Sequence, residues 1–133
     1  MKYDWNVLIV DDEWSERYLL KQHLRSFLAD EQITECDNVE EAVGLISDTD
    51  QKFDLIFSDL YMPGKTGMDF IVDEVLNHEI YKNIPVVITT NALPESLVSH
   101  VMKPLVFDYL IKPIEQDAIE KTFIRLEQHI VAG

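Results

Sequence analysis

Asp59 closes the apolar run Phe53-Asp54-Leu55-Ile56-Phe57-Ser58, and the pair Asp11-Asp12 closes another, Val7-Leu8-Ile9-Val10. In a parallel sheet the carboxyl ends of strands are where ligands bind. Carboxylates gathered at one such rim repel each other unless a hard cation with oxygen ligands sits among them. Mg²⁺, or Mn²⁺ in its place, held by Asp12 with help from Asp11, would partly neutralise a phosphoryl donor and let an Asp59 oxygen attack phosphorus. Two further strand ends carry complementary groups. The Thr90 hydroxyl can donate to one phosphoryl oxygen and the Lys112 ammonium can pair with another, while the main-chain carbonyl of Tyr61 would complete the metal shell. Alone, each signal is weak, because a lone Asp after a strand is usually a turn former and a lone Lys is usually solvated. Their joint placement at the ends of successive strands is what carries the argument.

Those ends are set by an alternation of strand-length apolar runs and helix-period segments. Val7 to Val10 reads as a buried strand, followed by a helix over Ser15 to Ala29 with Leu20, Leu24, Phe27 and Leu28 at helical spacing and Ser15 as its cap. Ile33 to Cys36, with polar Thr34 and Glu35, reads as an edge strand, and Val39, Ala42, Val43 and Ile46 mark a second helix. Leu55 to Ser58 is the next strand, closed by Asp59 and a loop containing Met62-Pro63-Gly64. Gly67 opens a third helix bearing Met68, Ile71, Val72, Val75 and Leu76. Val86-Val87-Ile88 is a β-branched strand, and a less clear fourth helix carries Leu97, Val98, Val101 and Met102 before Pro104. Tyr109-Leu110-Ile111 is a fifth strand, and Ile119, Phe123, Leu126 and Ile130 line a last helix. Five such alternations argue for a parallel sheet covered on both faces, with right-handed crossovers.

With 133 residues, 47 % of them apolar, the chain is one domain's worth and long enough for a core. A net charge of −14 speaks against nonspecific binding to nucleic acid or an anionic membrane. The single Cys36 cannot form an internal disulfide and reads as a small core residue, so a reducing, cytoplasmic setting is expected. The amino-terminal residues have no apolar signal core, and no stretch is long enough to span a bilayer.

The chain resembles the response-regulator receiver family of two-component signalling over essentially its whole length. The resemblance rests on Val10-Asp11-Asp12-Glu13, Ser58-Asp59-Leu60-Tyr61-Met62-Pro63 with Gly67 following, Ile84-Pro85-Val86-Val87-Ile88-Thr89-Thr90 and Asp108-Tyr109-Leu110-Ile111-Lys112-Pro113. It implies a doubly wound, flavodoxin-like α/β fold: a five-stranded parallel sheet of order 2-1-3-4-5 with five flanking helices, forming a single receiver domain over 1–133. It further implies Asp59 as phosphoacceptor, Asp11 and Asp12 as the acidic magnesium pocket and Lys112 as the phosphate-sensing lysine. Thr90 rather than Thr89 would be the switch hydroxyl, Tyr109 the aromatic that swings inward, and Lys112-Pro113 a cis bond. The implied partners are a sensor histidine kinase or histidine phosphotransfer protein and a downstream effector protein or effector domain; a homodimer through the output face stays open. That face comprises the fourth helix, the fifth strand and the last helix, and no separate enzymatic turnover is expected.

Some positions depart from the family pattern. Asn91 replaces a small residue after Thr90; Ala92 and Tyr61 stand where the acyl-phosphate lifetime is tuned. Leu105-Val106 replaces a Gly-Ala pair, Lys103-Pro104 shortens the fourth helix, and Trp14 stands in place of Pro, as core packing or an optical reporter of metal binding. Rival readings fare worse. Gly64-Lys65-Thr66 mimics the end of a nucleotide-binding loop, but the required earlier glycine is Asp59. A flavin carrier would want a hydroxyl- and glycine-rich cradle after the first strand. An aspartyl-phosphate hydrolase would want an acid two residues past Asp59, where Tyr61 stands. A non-phosphorylated scaffold of the same fold is disfavoured by the complete acid, Thr and Lys set.

Overall fold

Four consecutive apolar residues, Val7–Val10, form β1, and all four are buried, as a central strand covered on both faces requires. β2 (Ile33–Cys36), β3 (Leu55–Asp59), β4 (Val86–Thr90) and β5 (Asp108–Ile111) join it in one parallel sheet of order β2-β1-β3-β4-β5. The computed structural model describes residues 3–48, 50–62, 69–75, 77–79, 81–91 and 106–132. The expected fourth helix with Leu97, Val98, Val101 and Met102 lies outside the described residues, as do Gly67, Met68, Gly64-Lys65-Thr66, Ala92 and Lys103-Pro104-Leu105.

Strand alternation divides the core into two layers. Leu8, Val10, Ile56 and Ile88 face a cluster that α2 (Val39–Ser47) closes with Val39, Ala42 and Ile46, together with Phe70, Ile71 and Val75. Val7, Ile9, Leu55, Phe57, Val87 and Leu110 face the opposite cluster. There α1 (Trp14–Leu24) supplies Leu20 and Leu24, and the last helix (Gln116–Ala132) supplies Ile119, Phe123 and Leu126. Helices on both faces of an open parallel sheet make the fold doubly wound.

The element bounds differ from the sequence expectations in a few places, each for a local reason. α1 begins at Trp14, so Ser15 lies inside its first turn, and Glu13 occupies the N-cap position without a side-chain cap. The helix ends at Leu24, after which the N–H groups of Phe27 and Leu28 both reach the Leu24 carbonyl at 2.9 Å. This turn carries Phe27 and Leu28 into the core although they leave the helix. α2 is capped by Asn38, whose side chain accepts from Glu41 N–H at 2.7 Å. Phe70–Val75 is π-helical, so Phe70 and Val75, five apart, come to one side, and both are fully buried.

Candidate functional site

Register puts the site together. Val10 pairs with Ser58 across β1 and β3, so Asp11 and Asp59 follow side by side where the two strands end. Asp59 pairs with Thr89 on β4, and the N–H of Lys112, just past β5, donates to the Thr90 carbonyl at 2.8 Å. Among the described residues, six of the seven buried polar or charged ones (Asp11, Ser58, Asp59, Thr89, Thr90 and Lys112) sit at this carboxyl end. Carboxylate oxygens of Asp11, Asp12 and Asp59 lie within 4.8 Å of one another, a group able to hold a metal ion.

Lys112 spans the two buried acids, with Nζ 2.7 Å from Asp11 Oδ2 and 3.4 Å from Asp59 Oδ2. The other Asp59 oxygen accepts from Leu60 N–H at 2.7 Å, which fixes the carboxylate rotamer and makes its oxygens inequivalent. Asp12 is exposed, and its carboxylate makes no hydrogen bond or ion pair among the described residues. Burial lifts the Asp59 carboxyl above the ordinary carboxylate range; Asp11 adds to the lift, and the Lys112 ammonium and backbone N–H groups oppose it. For Lys112, burial alone would lower the pKa, but its hydrogen bond to Asp11 and the negative charges around it hold it above the ordinary lysine value.

The switch candidates lie on one face. Thr90 and Ile88 share a face of β4, Ile88 pairs with Tyr109, and Thr89 points the other way with Val87. Thr90, the hydroxyl favoured from sequence, therefore shares its face with Tyr109 and Thr89 does not. The Tyr109 hydroxyl is buried without a hydrogen-bond partner among the described residues. Tyr61 is 52 % exposed at the mouth, with its N–H 3.5 Å from Asp59 Oδ1. The Lys112-Pro113 bond is cis, as the family resemblance implied. Trp14 is 67 % exposed and stacks on Tyr18 at 5.4 Å, which rules out core packing. Cys36 is buried, its thiol pushed up to about 12 chiefly by that burial, so it is a neutral core group.

In the sequence Glu35 marks only a half-polar edge strand, and nothing there assigns Arg17 a role. Arg17 Nε donates to Glu35 at 2.8 Å and Lys21 Nζ to its other oxygen at 2.9 Å, while Arg17 Nη1 reaches the Asp11 carbonyl at 2.7 Å. The readable signal was the i, i+4 spacing of the two bases on the helix after β1.

A doubly wound sheet with acids, a hydroxyl and a lysine at its carboxyl rim defines a receiver-type signalling domain. The chain matches the response regulator receiver domain over residues 7–124 and belongs to that family of two-component systems. The transcriptional regulatory protein BtsR of Escherichia coli strain K12 is 32 % identical over 126 residues, covering 92 % of this chain and 48 % of BtsR. The two-component response regulator-like protein PRR37 of Oryza sativa subsp. indica is 27 % identical over 124 residues, covering 93 % of this chain and 16 % of that protein. The chain thus spans half or less of these curated relatives. The chemotaxis response regulator CheY4 of Vibrio cholerae shares the fold with a TM-score of 0.75 and 25 % identity, over 90 % of this chain and 96 % of CheY4.

Proposed function

We infer that residues 1–133 form one receiver domain that takes a phosphoryl group onto Asp59 from a histidine kinase or a histidine phosphotransfer protein. The observation that carries this reading is the buried Asp59 carboxylate beside Lys112, with Asp11 and Asp12 within 4.8 Å. An Asp59 oxygen forms the new P–O bond as the donor's P–N bond breaks, the leaving imidazole keeping the electron pair. Water later releases inorganic phosphate, or the group passes to another histidine.

An all-oxygen set of three carboxylates, one of them exposed and uncommitted, fits a hard divalent ion such as Mg²⁺ or Mn²⁺ better than a soft one. Asp11, Asp12, Asp59 and the Tyr61 carbonyl would hold it, and it would supply charge neutralisation at the phosphoryl oxygens. The chain's own groups do the rest. Leu60 N–H orients Asp59, and the Lys112 ammonium moves from Asp11 toward a phosphoryl oxygen while the Thr90 hydroxyl donates to another.

Thr90's shift opens space on the face it shares with Tyr109. The hydroxyl of that tyrosine, buried without a partner among the described residues, favours a second position in which it is satisfied. The output surface would include β5 and the last helix, where Ile111 and Ile124 are half exposed. A downstream effector protein, or an effector domain of a longer chain as the greater length of BtsR suggests, would dock or be released there. No described helix is long and apolar enough to cross a membrane, and the lone Cys36 suits the cytoplasm. Asp59→Asn is expected to abolish acid-labile labelling by acetyl phosphate with Mg²⁺. Undiminished labelling of that variant would move the nucleophile elsewhere.

A further inference from the structure

Every polar group of Asp11 has a partner, and each comes from a different part of the chain. Its N–H donates to the Cys36 carbonyl at 3.2 Å; its carboxylate takes Glu13 N–H at 2.9 Å and Lys112 Nζ at 2.7 Å. Its carbonyl takes Arg17 Nη1 at 2.7 Å. That carbonyl belongs to the planar peptide from which Asp12 departs, so holding it sets the direction in which the Asp12 carboxylate leaves the strand end. Asp12 is exposed and has no side-chain partner among the described residues, so its main chain is what aims it. Arg17 is itself fixed: its side chain is 13 % exposed, and Glu35 on β2 takes its Nε while Lys21 holds the other Glu35 oxygen.

We propose that Arg17 is a positioning residue for the cation pocket, anchoring the Asp11–Asp12 peptide so that the Asp12 carboxylate faces the ion. The proposal rests on the reading of Asp11, Asp12 and Asp59 as the site of a divalent cation. Two effects of Arg17 on that cation oppose each other. Its charge repels the ion, whereas its hydrogen bond preorganises a ligand. Glu35 faces the guanidinium at 2.8 Å and cancels much of the repulsion, so positioning dominates. Supporting groups of this kind are worth roughly 10–100-fold in metal affinity.

The test is calorimetric titration of the folded protein with MgCl₂ alone, with the amide resonance of Asp12 followed in parallel. Arg17→Ala is expected to weaken Mg²⁺ binding roughly tenfold or more and to displace the Asp12 resonance in the free protein. Lys21→Met is the control, since Lys21 shares Glu35 but does not touch Asp11, and its Mg²⁺ affinity is expected to stay at the wild-type value. Unchanged or tighter binding by Arg17→Ala would mean that only its charge is felt, and would overturn the proposal. Equal losses in both variants would overturn it too, as a general loosening of α1. Should Arg17→Ala fail to fold, Glu35→Gln frees the guanidinium from its brace; a smaller loss of affinity is then expected, and no loss refutes the role. Wild-type protein that binds no Mg²⁺ would instead sink the cation pocket itself, whatever Arg17 does.

Discussion

The two ends of the same parallel sheet treat polar groups in opposite ways. At the amino end polar side chains saturate the main chain. Gln32 donates to the carbonyls of Tyr3 and Trp5 at 2.9 and 3.0 Å and accepts from Ala29 N–H at 2.7 Å. The buried Tyr81 hydroxyl accepts from Phe53 N–H at 3.2 Å and donates to the Gln51 carbonyl at 3.3 Å, and Asp54 takes Asn6 N–H at 2.8 Å. At the carboxyl end, buried side chains face each other as charges, with one ammonium set between two acids. One end is finished by folding, and the other is left with charge that a ligand can relieve.

Removing the ammonium is the strongest way to break this asymmetry. Lys112→Ala leaves Asp11 and Asp59 buried and uncompensated, which is expected to cost about 3–5 kcal/mol in chemical denaturation without metal. Added Mg²⁺ should return much of that loss, because an ion that binds only the folded state stabilises it by mass action. The variant should still be labelled by acetyl phosphate yet fail to alter the output face. A Lys112→Ala protein as stable as wild type, with no response to Mg²⁺, would mean that the rim holds no stored repulsion.

At the amino end, Gln32→Ala strips one donor or acceptor from each of three main-chain groups. A loss of about 2 kcal/mol is expected, insensitive to Mg²⁺ and without effect on labelling of Asp59 by acetyl phosphate. Equal Mg²⁺ dependence in the two variants would erase the contrast between the ends.

The two ends also differed in how readily they could be read. Val7–Val10 and Ile33–Cys36 emerge with their observed bounds because a buried strand and a half-polar edge leave plain patterns. Asp11, Asp59 and Lys112 were legible because polar residues ending apolar runs are conspicuous. The end of α1 was not legible, since Phe27 and Leu28 keep helical spacing while the chain turns at Leu24; burial, not helix, maintains the pattern there. The π-helical turn at Phe70–Val75 was hidden likewise, because its apolar residues also suit an α-helix. Gln32 and Arg17 escaped because what matters is the carbonyl each one reaches, 27 and 29 residues away for Gln32 and six for Arg17; no local pattern marks Gln32, and the i, i+4 spacing of Arg17 and Lys21 marks a basic helix face without showing which carbonyl it meets.

The smallest effect carries the opposite sign and is the sharpest discriminator. The Asp59 carboxyl is raised by burial and by Asp11, so its ionisation at neutral pH opposes folding. A raised folded-state pKa contributes stability fully below the unfolded value and loses it as pH climbs through the folded value. Asp59→Asn should therefore be more stable than wild type at pH 7 without metal, by less than the Gln32→Ala loss and visible as a rise in Tm. The advantage should shrink as pH falls toward the ordinary carboxylate pKa of about 4, where wild type is protonated as well. Mg²⁺ at pH 7 should shrink it too, by stabilising wild type more than the variant. Melting curves over this pH range, with and without Mg²⁺, separate the two cases. An Asn variant less stable than wild type at pH 7 would mean that Asp59 is a structural acid like Asp54, and the two ends of the sheet would then be alike.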